Sequence, residues 1–92
     1  VTFTGVVNRQ VVENLHVFQA GGCTGEINAA LNWDNKQKDL RLRLITPAGV
    51  EHVADCCRPE VIKLPSEIGE WQLFVSTRST GRTEYTLEIM QP

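Results

Sequence analysis

The 92-residue sequence lacks the features that mark several large classes of protein. It has no apolar run near the roughly 18 residues that a membrane span needs, which excludes a transmembrane helix. It has no basic excess, with 9 Lys and Arg against 11 Asp and Glu, so the usual driving force for binding nucleic acid is missing. Its 41% apolar and 22% charged composition is ordinary for a globular domain and excludes collagen, coiled coils and disordered tails. We therefore expect neither nucleic acid nor a membrane as a partner.

Motifs that assemble a catalytic site are also missing. Gly-x-Ser-x-Gly is absent, and the only imidazoles are those of His16 and His52. His16 lies in an alternating segment and is interpreted as a histidine at a sheet surface or core edge. His52 and Asp55 are three residues apart, which in a strand directs them to opposite faces. We therefore predict no catalytic residue and no enzymatic activity.

The start of the chain has no methionine and no charged, apolar leader before Val1. Ninety-two residues are enough for one core and one domain. We expect residues 1–92 to be a single domain excised from a larger protein.

Apolar and polar residues alternate with a period of two through most of the chain, which predicts β-strands. Between Leu40 and Leu44 the leucines alternate with Arg41 and Arg43, so the leucines are predicted to face a core and the arginines to face outward. Similar or β-branched segments occur at Val1–Val7, Val11–Phe18, Ile27–Trp33, Trp71–Ser76 and Tyr85–Ile89.

Turn-forming residues separate these segments at short intervals. Thr46–Gly49 suits a tight turn into a strand at Val50–Ala54. Arg78–Arg82 is interpreted as a hairpin between the Trp71 and Tyr85 strands. About seven or eight such strands predict an all-β fold, a two-sheet antiparallel β-sandwich of the jelly-roll type, with Trp71 at its centre.

The three cysteines are Cys23 and the adjacent pair Cys56 and Cys57, an odd number that leaves one thiol over. In a secreted protein Cys23 could bridge to one of the pair, closing a loop of roughly 33 residues that is worth about 3 to 4 kcal/mol. A bridge within the pair needs strained geometry. In a reducing compartment all three cysteines would stay reduced, as small buried or half-buried side chains. We favour one bridge, with these three residues as the disulfide candidates.

Two groups of residues have the ligand types of a metal site. The cysteines and His52 suit zinc, but adjacent cysteines replace the two-residue spacing that lets both sulfurs reach one ion. Asp34, Asn35 and Asp39 flank one loop and could offer oxygens to calcium. Turn formation already explains these residues. We expect no bound cofactor and keep calcium at Asp34 and Asp39 as the alternative.

Outward strand residues are the candidates for a binding surface. Arg41 and Arg43 would form a polar platform, and Trp33 at a strand end would add an aromatic contact. Charge on a strand face also serves solvation and guards against edge pairing. Trp33, Arg41 and Arg43 are the predicted ligand-binding residues, with plain solvation as the alternative.

Several motifs follow one another in order from about Phe3 to Ile89. They are Leu31–Trp33, the alternating run Lys38–Leu44, Pro-x-Gly at Pro47–Gly49, Gly-x-Trp at Gly69–Trp71, and Tyr85–Ile89. With these motifs the chain resembles the bacterial pre-peptidase C-terminal domain and, more distantly, the P domain of proprotein convertases. The commoner form enters the second motif with Asp-x-Asp-Leu, whereas this chain has Gln37 before Asp39.

The resemblance implies a jelly-roll sandwich appended to a secreted bacterial enzyme, often a protease. It implies a non-catalytic accessory domain that assists folding, secretion, or attachment to a substrate or matrix. Its implied partners are the neighbouring catalytic domain of the parent protein and an extracellular polysaccharide or protein matrix. The alternatives are a stand-alone carbohydrate- or protein-binding module and a calcium-stabilised structural domain.

Overall fold

The computed structural model describes residues 1–8, 12–21, 25–33, 40–55, 59–77 and 82–91. Within these ranges every regular element is a strand. The strands are β1 (Thr2–Val7), β2 (Glu13–Ala20), β3 (Glu26–Trp33), β4 (Leu40–Ile45), β5 (Glu51–Ala54), β6 (Glu60–Pro65), β7 (Gly69–Thr77) and β8 (Thr83–Met90). Each strand that the alternation predicted is present, with bounds shifted by a few residues.

The strands form two antiparallel sheets of four. The first sheet has the order β1-β8-β3-β6 and the second has the order β2-β7-β4-β5. Consecutive strands mostly fall in opposite sheets, and this interleaved order is that of a jelly roll. The predicted all-β, two-sheet antiparallel sandwich is confirmed.

One predicted turn is confirmed and one predicted hairpin is wrong. Gly49 N donates to Thr46 O at 2.8 Å and joins β4 to β5, with φ at Gly49 of 86°, a value that glycine adopts readily. The expected hairpin between the Trp71 and Tyr85 strands does not exist, because β7 belongs to the second sheet and β8 to the first. A period of two determines which face a residue occupies but not which strand lies beside it.

The core fills the space between the sheets with alternate residues from each strand. Trp71 is fully buried, its ring stacks 5.9 Å from that of Phe18, and its Nε1 donates to the carbonyl of Glu67 at 2.9 Å. Leu40, Leu42 and Leu44 face the same core, as predicted. The intervening residues therefore form the two outer faces, and these faces carry the candidate binding surfaces.

Candidate functional site

The outer face of the first sheet is hollowed into a depression of about 840 Å³. Its floor is a row of small polar residues on three paired strands, with Thr4 beside Thr86 and Thr86 beside Asn32. The full lining consists of Thr4, Gly5, Val6, Ala30, Asn32, Trp33, Pro59, Glu84, Tyr85, Thr86 and Glu88. Small floor residues leave space above the sheet, so this surface can receive an extended chain lying across the strands.

The depression is acidic. Glu84 and Glu88 are exposed on β8, on either side of Thr86, and no lysine or arginine is among the described residues that line it. Arg82 lies beside the depression with Nη2 3.0 Å from Glu84 Oε1, and both of these side chains are exposed. An exposed pair of this kind contributes at most about 1 kcal/mol, so Glu84 can exchange partners readily.

Hydroxyl and amide groups occupy the middle of the depression. The side-chain oxygen of Asn32 accepts a hydrogen bond from the backbone N–H of Trp33 at 2.9 Å, which fixes the orientation of the amide. Its NH₂ group is a donor, while the hydroxyls of Thr4 and Thr86 can donate and accept. The surface therefore combines neutral hydrogen-bonding groups with flanking carboxylates.

A polar cluster of Asn14, His16 and Tyr85 lies between the sheets, directly behind this face. Asn14 Nδ2 donates to Tyr85 Oη at 3.0 Å and to the carbonyl of Val6 at 2.9 Å. Tyr85 Oη lies 2.6 Å from His16 Nε2. The phenol oxygen accepts from Asn14 and forms a second hydrogen bond with His16 Nε2, in which the donor depends on the nitrogen of the imidazole that carries the proton. The cluster ties β2 of the second sheet to β8 and β1 of the first.

Close packing against β1 holds the Tyr85 ring in place. A Cβ at Gly5 would overlap the phenol oxygen of Tyr85 and lie 2.7 Å from its Cζ, so glycine is required for this approach. The Phe3 ring stacks on His16 with the centroids 4.8 Å apart. Both contacts shield the cluster from water.

Burial changes the titration of both ring groups in the cluster. It lowers the pKa of His16 below its ordinary value of 6.5, because the imidazolium ion would lose hydration. It raises the pKa of Tyr85 above 10.0 for the same reason, and the hydrogen bond from Asn14 offsets part of that increase by stabilising the phenolate. The neutral forms of both groups are therefore favoured in the fold.

The predicted platform residues Arg41 and Arg43 lie on the outer face of the second sheet. The Arg43 guanidinium sits 4.3 Å from the centroid of the Phe74 ring and 3.4 Å from Glu51 Oε2. Glu13 Oε2 lies 4.0 Å from Arg43 Nη2. Arg43 is thus held by a cation–π contact and two carboxylates, which favours a local structural role on this face.

Trp33 lies in the first sheet, at the end of β3. Its side chain is only 6% exposed and is part of the core, on the inner face of the first sheet, although it also contributes to the lining of the depression. The structure therefore does not bring Trp33 together with Arg41 and Arg43, which face outward from the opposite sheet. Their role in ligand binding stays a prediction.

The remaining predicted site residues are Asp34, Asp39, Cys23, Cys56 and Cys57, and all of them lie outside the described residues. Within the described ranges no group of three or more His, Cys, Asp or Glu side chains is close enough to hold a metal ion.

In the part of the chain that the structure describes, no helix has the length and apolar character needed to cross a bilayer.

Sequence reasoning missed the polar cluster and one buried carboxylate. Asn14 and Tyr85 are 71 residues apart, so no local spacing could associate them. Glu60 is 1% exposed and is the only buried charged residue among those described. A signal for Glu60 did exist, because in β6 it alternates with Ile62 and Leu64 and so shares their face.

No family model matches the chain, and no curated protein matches it by sequence.

Solved structures do match. The pre-peptidase C-terminal domain of a collagenase from Bacillus anthracis superimposes with a TM-score of 0.81, covering 98% of this chain and 88% of that one at 12% identity. The Yersinia pseudotuberculosis-derived mitogen superimposes with a TM-score of 0.73, covering 100% of this chain and 85% of that one at 19% identity. At these identities the likeness shows the fold. The fold implied by the resemblance to the pre-peptidase C-terminal domain is confirmed.

Proposed function

We propose that this chain is a non-catalytic accessory domain of a secreted bacterial protease, and that it attaches the neighbouring catalytic domain to a protein substrate. The observation that carries this proposal is the match of 98% of the chain to a domain of a collagenase. The motifs from Leu31 to Ile89 support the same assignment independently of the coordinates.

The depression on the first sheet is the surface we assign to the substrate. A polypeptide lying across β1, β8 and β3 would meet hydrogen-bonding groups from Thr4, Thr86 and Asn32. Lysine or arginine side chains of that polypeptide would be attracted to Glu84 and Glu88. Charge complementarity of this kind mainly accelerates association and selects the partner.

A protein substrate fits this surface better than a polysaccharide. Sugar rings stack on exposed aromatic faces, yet the aromatic residues that line the depression, Trp33 and Tyr85, are 6% and 3% exposed. What the surface offers is amide, hydroxyl and carboxylate groups, which pair with peptide groups and cationic side chains. Attachment to a polysaccharide is therefore an outcome for the experiment to test.

Retention of the isolated chain on insoluble polymers tests the proposal. We expect retention on insoluble fibrous protein, such as collagen or elastin, and none on cellulose or chitin. Glu88→Lys should weaken retention at least about tenfold, since it reverses one of two charges facing the ligand. Raised salt should weaken binding of the unmodified chain in the same direction, because exposed charges are screened.

The matched control is Glu70→Lys. Glu70 is also an exposed strand glutamate, but it lies on β7 in the second sheet and accepts a hydrogen bond from Gln72 at 3.3 Å. Both substitutions change the net charge equally, so only the position of the charge differs. Equal effects of the two variants, or retention on cellulose or chitin alone, would contradict the assignment.

A further inference from the structure

The two open sheets leave four edge strands, and one of them is unlike the others. An edge strand presents unpaired N–H and C=O groups that can pair with another chain, and proteins blunt such edges with short strands, lysine or proline. At the far side of the second sheet β5 has only four residues, and in the first sheet β6 carries Lys63 and Pro65. β2 has eight residues and contains neither lysine nor proline.

β2 also differs from β1, the edge strand of the first sheet on the same side of the sandwich. The first two outward residues of β1 are Thr2 and Thr4, which are polar and point to the outer face of the first sheet, where the depression lies. The outward residues in the middle of β2 are Leu15 and Val17, which are 50% and 41% exposed. At β2, a long strand edge whose only charged residue is Glu13 at its start is thus combined with exposed apolar side chains.

Leu15 and Val17 lie at one end of a row of side chains that crosses the outer face of the second sheet. Leu15 is paired in register with Phe74 of β7, and Phe74 with Arg43 of β4, which is paired in turn with Val53 of β5. The Arg43 guanidinium covers the Phe74 ring at 4.3 Å. Leu15 and Val17 have cross-strand neighbours on one side only, because the described residues place no further strand along the free edge of β2.

A second copy of β2 would pair with the free backbone groups of this edge and would also cover Leu15 and Val17. In an antiparallel pair of β2 strands related by a twofold axis at His16, Leu15 of each copy lies opposite Val17 of the other. Glu13 then lies opposite Gln19, so the only charged residue of the strand does not face its own copy. Such an interface is isologous, and cyclic twofold dimers are the commonest oligomers.

We propose that β2 is a dimerisation edge, through which two copies of this chain join their second sheets into one continuous eight-stranded sheet. The inference is independent of the proposed function. It has a consequence for that function, because a dimer carries two depressions and would bind a polymeric substrate with higher avidity than a single copy.

Sedimentation equilibrium of the isolated chain over a range of concentrations tests this dimer. We expect dimers to be measurable below about 1 mM, the weak end of specific association. Val17→Lys should raise the dissociation constant at least about tenfold, because it introduces a guarding charge into each half of the interface. The fold should survive, since the side chain is already 41% exposed.

Val53→Lys is the matched control. Val53 is the same residue type, is 43% exposed, and lies on the same outer face of the same sheet, but on β5 at the opposite edge. This variant should dimerise like the unmodified chain. Isotope-filtered NOEs between the methyl groups of Leu15 in one copy and Val17 in the other should then be visible in a mixed-labelled sample.

Three outcomes would overturn the proposal. The first is a chain that stays monomeric throughout the concentration range. The second is equal weakening by both valine variants, which would indicate contact through the whole outer face. The third is a dimer that only Val53→Lys disrupts, which would place the contact at β5.

Discussion

Removing the hydroxyl of Tyr85 is the sharpest test of how the two sheets are held together on the β1 and β2 side. The phenol oxygen accepts from Asn14 Nδ2 at 3.0 Å and lies 2.6 Å from His16 Nε2. Tyr85→Phe keeps the ring and its packing but deletes both hydrogen bonds. Asn14 retains its bond to the Val6 carbonyl, so one amide hydrogen and one imidazole nitrogen lose their partners.

The expected loss of stability follows from these two groups. An intramolecular hydrogen bond contributes about 1 kcal/mol net, and a buried group left without a partner costs about 1 to 3 kcal/mol. His16 is half-buried and can recover part of this loss by binding water. We therefore expect Tyr85→Phe to reduce the free energy of unfolding by about 2 kcal/mol. For a domain of this size that corresponds to a decrease in Tm of roughly 8 to 16 °C.

Urea and thermal unfolding followed by circular dichroism measure this change. Thr86→Val is the control, because it removes a hydroxyl from the next residue of β8, where the side chain is exposed on the outer face. The control should stay within about 0.5 kcal/mol of the unmodified chain. If Tyr85→Phe also stays within about 0.5 kcal/mol of the unmodified chain, the hydrogen bonds of the polar cluster do not hold the sheets together.

The remaining predictions concern the titration of the same cluster. Burial lowers the pKa of His16, so the unfolded chain binds a proton at higher pH than the folded chain does. Stability from this residue is therefore fully present above pH 6.5 and is lost as the pH falls below that value. His16→Gln should flatten the dependence of unfolding free energy on pH below 6.5, and an unchanged slope would contradict this. Tyr85 is the only tyrosine, so the absorbance of tyrosinate reports its pKa directly. We expect a midpoint above 10.0 in the folded chain that increases further in Asn14→Ala, and a midpoint that does not respond to that substitution would remove Asn14 from the cluster.

The candidate surfaces were only partly predictable from the sequence. Alternation correctly placed Arg41 and Arg43 on an outward face and Leu42 in the core. It could not reveal that Trp33 and these arginines belong to different sheets, since alternation carries no information about which strands are neighbours. The depression depends on Thr4, Thr86 and Asn32 lying side by side, and these residues come from the beginning, the end and the middle of the chain.

The hairpin that the structure does not contain has the same physical cause. Polar turn residues between the Trp71 and Tyr85 segments are equally compatible with a hairpin and with a crossing between sheets. Strand pairing decides between the hairpin and the crossing. β8 pairs with β1 and β3, whereas β7 pairs with β2 and β4. These pairings join strands far apart in the sequence, and their energies depend on side chains from all four strands together.

By itself the sequence determined the class of the fold, because a period of two in short segments buries one face of a strand but would not bury one face of a helix. It also determined which face of most strands is buried, with Trp71 and Leu42 as examples, since a slip of one residue would turn the apolar side chains of a strand to solvent. Only the tertiary structure decided the order of strands, the depression, the link from Asn14 to Tyr85 and the open edge at β2. Each of these arises from segments that are distant in the chain and meet only when two sheets have closed over a common core.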